Sequence, residues 1–146
     1  MRLFIAEKPN LAKAIANGLG NGRTENGCIR CGDDTVTWCF GHMLELAWPQ
    51  EYKPEYSQWR REHLPIIPSE WKYKVKKDSA KQLAVIGSLL READSVVNAG
   101  DPDREGQLLV DEVLEHFNYR GPVARIWLPS LDDKSVRIAL NGIRDN

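Results

Sequence analysis

No stretch of this sequence is apolar for the roughly 20 consecutive residues that crossing a bilayer requires. The opening MRLFIAEKP holds four apolar residues, LFIA, before Glu7 and Lys8. That is also short of a signal-peptide core of about 7 to 15 residues, so the expected location is the cytoplasm. An excess of charge is missing too: 20 Lys and Arg stand against 21 Asp and Glu, a net charge of −1. This excludes a broad electrostatic footprint for nucleic acid or membrane, and any such contact must come from local placement. Cysteine is scarce and odd in number, with three in all. No disulfide framework follows from that, and thiols in the cytoplasm stay reduced. Internal repeats and low-complexity tracts are absent, which excludes solenoids and disordered arrays. The 146 residues suit one core and leave no room for a second full domain.

What is present alternates between strand-like and helix-like segments. RLFIA, residues 2–6, reads as a buried strand of a parallel sheet, and LAKAIANGL places Leu11, Ile15 and Leu19 on one helical face. CIRC and TVTWCF, separated by Gly32, Asp33 and Asp34, predict a hairpin. Prolines at 49, 54, 65 and 68 make residues 47–69 a long loop with at most one short helix, an insertion in a simpler core. WKYKVKK, residues 71–77, alternates like an edge strand defended by lysines. Asp78 or Ser79 then caps a helix with Leu83, Ile86, Leu89 and Leu90 inward. SVVNA is the next strand, followed by a helix presenting Leu108, Leu109, Val113, Leu114 and Phe117. VARIWL and LDDKSVRIALNGI repeat the pattern, the latter with an Asp cap. The expected fold is α/β: a mainly parallel sheet with helices on both faces, plus a β-hairpin and a loop insertion. Residues 1–146 read as one domain, and a final helix running to Asn146 without a polar tail suggests a piece of a longer chain.

Between SVVNA and its helix lies GDPDREG, with three carboxylates in five positions. Asp101 is expected to cap the helix, with Pro102 at its first position and Asp103 and Glu105 in its first turn. The helix dipole accounts for one or two acids there, at about 0.3 to 1 kcal/mol each. It does not account for Glu7, which ends the first strand beside Lys8, or for Gly100 and Gly106 bracketing the turn. Ligands in such sheets sit beyond the carboxyl ends of the strands. If the two strands are neighbours, four acids converge, and a hard cation such as Mg²⁺ would offset their repulsion.

Cys28, Cys31, Cys39 and His42 have a zinc-like spacing. Strand alternation, however, sends Cys28 and Cys31 to opposite faces, and Cys39 lies in an apolar strand, so packing is the expected role. His42 is read as structural, and Trp59 beside Arg60 and Arg61 as a minor candidate for stacking on single-stranded DNA. GLGNGRTENG, residues 18–27, reads as a loop, because no strand precedes it as a dinucleotide site requires.

EKP at 7–9 with DPDREG at 101–106 resembles the Toprim domain of type IA DNA topoisomerases. The flanking MRLFIAEKPNLAKAIA, FGHMLEL, LPIIPSEWKY and AGDPDREGQLL are similar to its topoisomerase III branch, over Met1 to about Leu140. The resemblance implies a Toprim fold and makes Asp101, Asp103 and Glu105 the acidic triad for Mg²⁺, with Mn²⁺ as a substitute. Glu7 joins that set and serves proton transfer at the scissile bond, while Lys8 touches the scissile phosphate. Arg104 would act at the same site, by pairing with a triad acid or by reaching DNA. An acid crowded by carboxylates keeps its proton to higher pH, which suits protonation of a departing 3′ oxygen. The implied activity is single-strand cleavage and religation by transesterification, as part of an isomerase.

The nucleophilic tyrosine of that family lies in another domain, and Tyr52, Tyr56, Tyr73 and Tyr119 do not sit in its context. The chain is therefore expected to be a monomeric fragment, inactive alone, working on single-stranded DNA through the remaining topoisomerase domains in a prokaryotic nucleoid. A stand-alone Toprim nuclease or primase-like enzyme is the competing class, and the Glu-Lys-Pro context argues against it. A non-catalytic interaction domain retaining the fold is a third.

Overall fold

The computed structural model describes residues 1–146. The chain runs β1 (Arg2–Ala6), α1 (Pro9–Gly18), β2 (Arg23–Glu25), β3 (Cys28–Cys31), β4 (Asp34–Trp38), β5 (Leu44–Leu46) and α2 (Pro49–Tyr52). It continues through β6 (Tyr73–Val75), α3 (Ala80–Glu92), β7 (Ser95–Ala99), α4 (Arg104–His116), β8 (Val123–Arg125), α5 (Asp133–Asn141) and β9 (Arg144–Asp145). Leu3, Phe4, Ile5 and Ala6 are all fully buried, as a strand covered on both faces requires of a continuous apolar run. Accordingly β1 lies at the centre of a seven-stranded sheet ordered β2-β3-β4-β1-β7-β8-β9. The strands β4, β1, β7 and β8 are parallel, and antiparallel pairs close both ends.

Alternation along the central strands divides the interior into two layers. Leu3, Ile5 and Val96 face α3 and α4, where Leu83, Ile86, Leu89, Leu109, Val110 and Val113 complete the packing. Phe4, Ala6, Val97 and Ala99 face α1 and α5, against Leu11, Ile15, Val136 and Ala139. The expected helix-covered sheet with its hairpin is therefore present, the hairpin being β3 and β4. Cys28 and Cys39 belong to the first layer and Cys31 to the second, so alternation does separate the CIRC thiols. Burial pushes all three thiols up, Cys39 to about 12.

Several elements differ from expectation. Residues 18–27 are not all loop: Arg23–Glu25 pairs with β3 although every residue of it is exposed, so no apolar period marked it. The last helix stops at Asn141, and Arg144–Asp145 returns as an edge strand on β8. WKYKVKK contributes only three residues to a strand, and these pair with β5 in a separate two-stranded sheet. Residues 47–69 hold α2 and two 3₁₀ turns, Pro54–Ser57 and Arg61–His63. Ser79 precedes α3 but makes no side-chain cap. Leu108 points outward and is half exposed; Val110 takes the inward position.

Phe4→Ala empties a fully buried site in the central strand, while Leu108→Ala trims an exposed side chain. Urea denaturation is expected to show a loss of about 3–5 kcal/mol for the first and under about 1 kcal/mol for the second. At α5, Asp132 accepts from the Ser135 backbone N–H at 3.0 Å and from its hydroxyl at 2.6 Å. The Ser135 hydroxyl and N–H, helped by Ser130, hold its carboxyl well below the usual range. Such a depressed acid stabilises the fold above its unfolded value of about 3.9, and that stabilisation is lost as pH falls toward the folded value. Asp132→Asn should therefore be less stable than the parent at pH 6, with the gap closing below about pH 4. A gap independent of pH would show that the charge does not matter.

Candidate functional site

The register of β1 and β7 sets Ala6 opposite Ala99, so the residues that follow both strands emerge side by side at one sheet edge. The Asp101 backbone N–H donates to Glu7 Oε2 at 3.0 Å, and Lys8 Nζ donates to Asp101 Oδ2 at 2.7 Å. That hydrogen bond to Asp101 outweighs desolvation and raises the Lys8 amine, with Glu7 and Asp103 adding attraction. The two acids separated by more than ninety residues are thus neighbours, joined through one backbone amide.

The remaining acids are placed differently from expectation. Asp103, not Asp101, caps α4, accepting the Gly106 N–H at 2.7 Å through Oδ1. The Asp101 carboxylate is instead taken up by Lys8, and its backbone N–H donates a hydrogen bond to Glu7, so it has no role in closing the helix. Glu105, 78% exposed, leans toward His42 Nε2 at 3.7 Å. His42 Nδ1 is in turn 2.9 Å from Glu112 Oε2, which places this histidine beside the acidic turn. The structure therefore brings Glu7 and Asp101 together but does not draw the four acids into one cluster, and no three His, Cys, Asp or Glu side chains are grouped to hold an ion. Arg104 is exposed and forms no ion pair with these acids; it borders an open groove of about 450 Å³ with Pro102, Gln107 and Trp127. Trp59 is largely exposed, while Arg60 is engaged by Gln58 and Glu62.

Beneath the turn lies support that sequence reasoning missed. Asn98, wholly buried in β7, accepts the Gly100 N–H at 3.0 Å through Oδ1 and donates to Asp111 Oδ1 at 3.2 Å. The Arg125 guanidinium, 3% exposed, donates to Asn98 Oδ1 at 2.8 Å, to the Gly100 carbonyl at 3.0 Å and to the Asp101 carbonyl at 2.7 Å. Burial pulls this guanidinium down, opposed by Asp111, Asp103, Asp101 and Glu7. A polar residue inside each of two otherwise apolar strand patterns, SVVNA and VARIWL, was the available signal. The glycines have a packing reason that needs no metal: a Cβ on Gly100 would sit 1.9 Å from the Gly106 carbonyl, and one on Gly106 would sit 2.3 Å from the Asp101 carbonyl. Only glycine allows the strand end and the helix start to cross so closely.

The donor set is carboxylate oxygen throughout, partly open to solvent, with no thiolate and one imidazole at its border. That chemistry fits a hard cation held by one or two carboxylates, with water and phosphate oxygens completing its shell. A parallel sheet with a glutamate ending one strand and an Asp-x-Asp-x-Glu turn following its neighbour defines a class of α/β domain that carries its acids on one edge. The sequence profile of the Toprim domain family matches residues 2–131, and the chain belongs to that family. It is 50% identical to the DNA topoisomerase 3 of Haemophilus influenzae over all of this chain and 23% of that protein. It is 48% identical to the DNA topoisomerase 3 of Vibrio cholerae, over 99% of this chain and 23% of that protein. For Bacillus subtilis DNA topoisomerase 3 the identity is 35%, over 97% and 20%. The chain thus spans about a quarter of the length of these relatives or less. The full-length topoisomerase I structure from Thermotoga maritima superposes with a TM-score of 0.62 at 20% identity, covering 98% of this chain and 21% of that one, which shows the fold.

Arg125→Met removes the donors to Asn98 and to the Gly100 and Asp101 carbonyls, and leaves the Gly100 carbonyl without a partner. A loss of about 2 kcal/mol or more is expected, read as a thermal midpoint lowered by several degrees. A midpoint within a degree of the parent would mean that the turn does not depend on this guanidinium.

Proposed function

We propose that this Toprim domain is the metal-binding half of the cleavage site in a type IA DNA topoisomerase of the topoisomerase III kind, acting in the cytoplasm on single-stranded DNA together with further domains of the enzyme. The observation that carries the reading is the Glu7–Asp101 contact across two adjacent strand ends, with Lys8 on the same carboxylate. The likeness to several DNA topoisomerase 3 sequences over nearly all of this chain supports it. Asp101, Asp103 and Glu105 would hold Mg²⁺ or Mn²⁺, with Glu7 at the edge of that set. The ion would supply charge neutralisation at the phosphodiester. Glu7, fixed by the Asp101 backbone N–H just beyond the buried Leu3–Ala6 run of β1, moves the proton at the departing 3′ oxygen. Lys8 contacts the scissile phosphate through an amine whose charge is secured by its acidic neighbours. Arg104 lies exposed and unpaired at the start of α4, free to reach the DNA backbone rather than a triad acid. Asn98 and Arg125 position the turn without touching substrate.

The test has two arms. Substituting this chain for the matching segment of Haemophilus influenzae topoisomerase 3 should give an enzyme that relaxes negatively supercoiled plasmid, and Glu7→Gln in it should slow relaxation by about 100-fold or more. In the isolated 146-residue chain, Mg²⁺ should raise the thermal midpoint, and Asp101→Asn with Asp103→Asn should abolish the rise. Unchanged relaxation by the Glu7 variant would overturn the reading. Cleavage of single-stranded DNA by the isolated chain with Mg²⁺ or Mn²⁺ would replace it with the nuclease class.

A further inference from the structure

β4 leaves the sheet directly beside β1. The Cys39 N–H donates to the Ala6 carbonyl at 2.8 Å and the Gly41 N–H to the Glu7 carbonyl at 3.4 Å, so residues 39–41 are fastened to the strand end that carries Glu7. Gly41 takes a φ of +69°, which only glycine adopts freely, and the chain turns there. Between these anchors Phe40 is left 54% exposed. A phenylalanine held by its backbone at a polar edge, with about half of its surface in water, leaves part of an aromatic face open to a ligand.

Across from it, Lys76 and Lys77 enter the 3₁₀ turn that leads into α3. The Lys76 backbone is fixed by its N–H to the Met43 carbonyl at 3.0 Å and by its own carbonyl, which accepts the Ser79 N–H at 2.9 Å. With Phe40 and His42 these lysines line an open groove of about 520 Å³. Two acids share the lining. Glu45 faces Lys74 at 3.9 Å, whereas Asp78 is exposed on the rim; neither Lys76 nor Lys77 has a carboxylate within ion-pair reach. His42 links the groove to the acidic turn through Glu105 and Glu112.

We propose that this groove is a nucleotide subsite for single-stranded DNA, in which the Phe40 ring stacks on a base and Lys76 and Lys77 take the adjoining phosphates. It rests on reading the acidic edge as a DNA-cleaving site, and adds to that reading where the strand runs on the β4 side. Three observations favour this occupant. Volume suits a nucleotide, since ligand sites commonly span roughly 300–1,000 Å³. Of the seven lining residues only one is hydrophobic, unlike the apolar core of a protein docking surface. Stacking on an aromatic face combined with cations on the backbone is the general means of holding single strands without reading their sequence.

The test is fluorescence anisotropy of a labelled oligothymidylate titrated with the 146-residue chain at several salt concentrations. Phe40→Ala should weaken binding about tenfold with the salt slope unchanged, and Phe40→Tyr should restore it. Lys76→Ala with Lys77→Ala should flatten the slope of log K against log salt by about 1.4, two phosphate contacts at about 0.7 each. Lys13→Ala with Arg120→Ala removes equal charge away from the groove and should move affinity far less. Equal losses from the two charge pairs, Phe40→Ala binding like the parent, or no saturable binding at low salt would each overturn the subsite. All these side chains are at least partly exposed, and an unchanged thermal midpoint verifies that the variants fold. Relaxation by the chimeric enzyme reads the acidic edge separately, so either proposal can fail without the other.

Discussion

The parallel register between β1 and β7 is the constraint on which the rest depends. It sets Ala6 level with Ala99, and from there Glu7 on one strand and Asp101 on the other can meet only at the same edge. A shift by one residue would send every side chain of β1 to the opposite layer, exchanging Phe4 and Ala6 with Leu3 and Ile5. Both faces are buried against helices of different shape, so the slip is opposed along the whole strand. The position of the acids is therefore secured mainly by packing some distance from them.

What the acids cost is offset locally and one at a time. Glu7 accepts a backbone amide, Asp101 holds Lys8, Asp103 caps a helix and Glu105 remains in water near His42. Each has an ordinary structural partner, and this separation explains why no three of them gather. Below them Arg125 is a buried cation whose donors are spent on carbonyls and on Asn98, leaving its charge uncancelled by any direct ion pair. At low local dielectric, such a charge acts on several acids at once. Removing water from the guanidinium is unfavourable, and the surrounding acids return part of that energy. The turn and the charge beneath it thus stabilise each other.

Legibility in the sequence followed apolar periodicity closely. The central strands and long helices announced themselves through continuous runs and four-residue spacings, and the Glu7–Asp101 meeting followed from placing those strands side by side. β2 and β9 were invisible because their residues are polar and exposed; backbone pairing alone makes them strands. The cap of α4 was misplaced by two residues, since Asp101 and Asp103 are both good caps and only the crossing of Gly100 over Gly106 decides between them. That same crossing accounts for the glycines that had seemed to call for a metal. Arg125 was missed for a different reason: a charge in a strand reads as exposed, and its burial becomes intelligible only once the carbonyls of a turn from another strand lie over it.

If the proposed DNA role holds, a chain with a net charge of −1 approaches that polyanion by arrangement rather than by total charge. Glu7, Asp101, Asp103 and Glu105 follow the ends of β1 and β7 at one edge of the sheet, with Lys8 on Asp101, Arg104 at the head of α4, and Lys76 and Lys77 in the groove lined by Phe40 and His42. On the proposed reading, a DNA strand laid over that edge would meet these cations beside the acids, with the repulsive stretch limited to the span that a metal cation could neutralise. This geometry gives the nearly balanced composition a physical sense. Excess positive charge would hold any nucleic acid at any point of the surface, whereas a short acidic gap beside a few cations would, on the proposed reading, favour one placement of the phosphodiester, over Glu7 and Asp101.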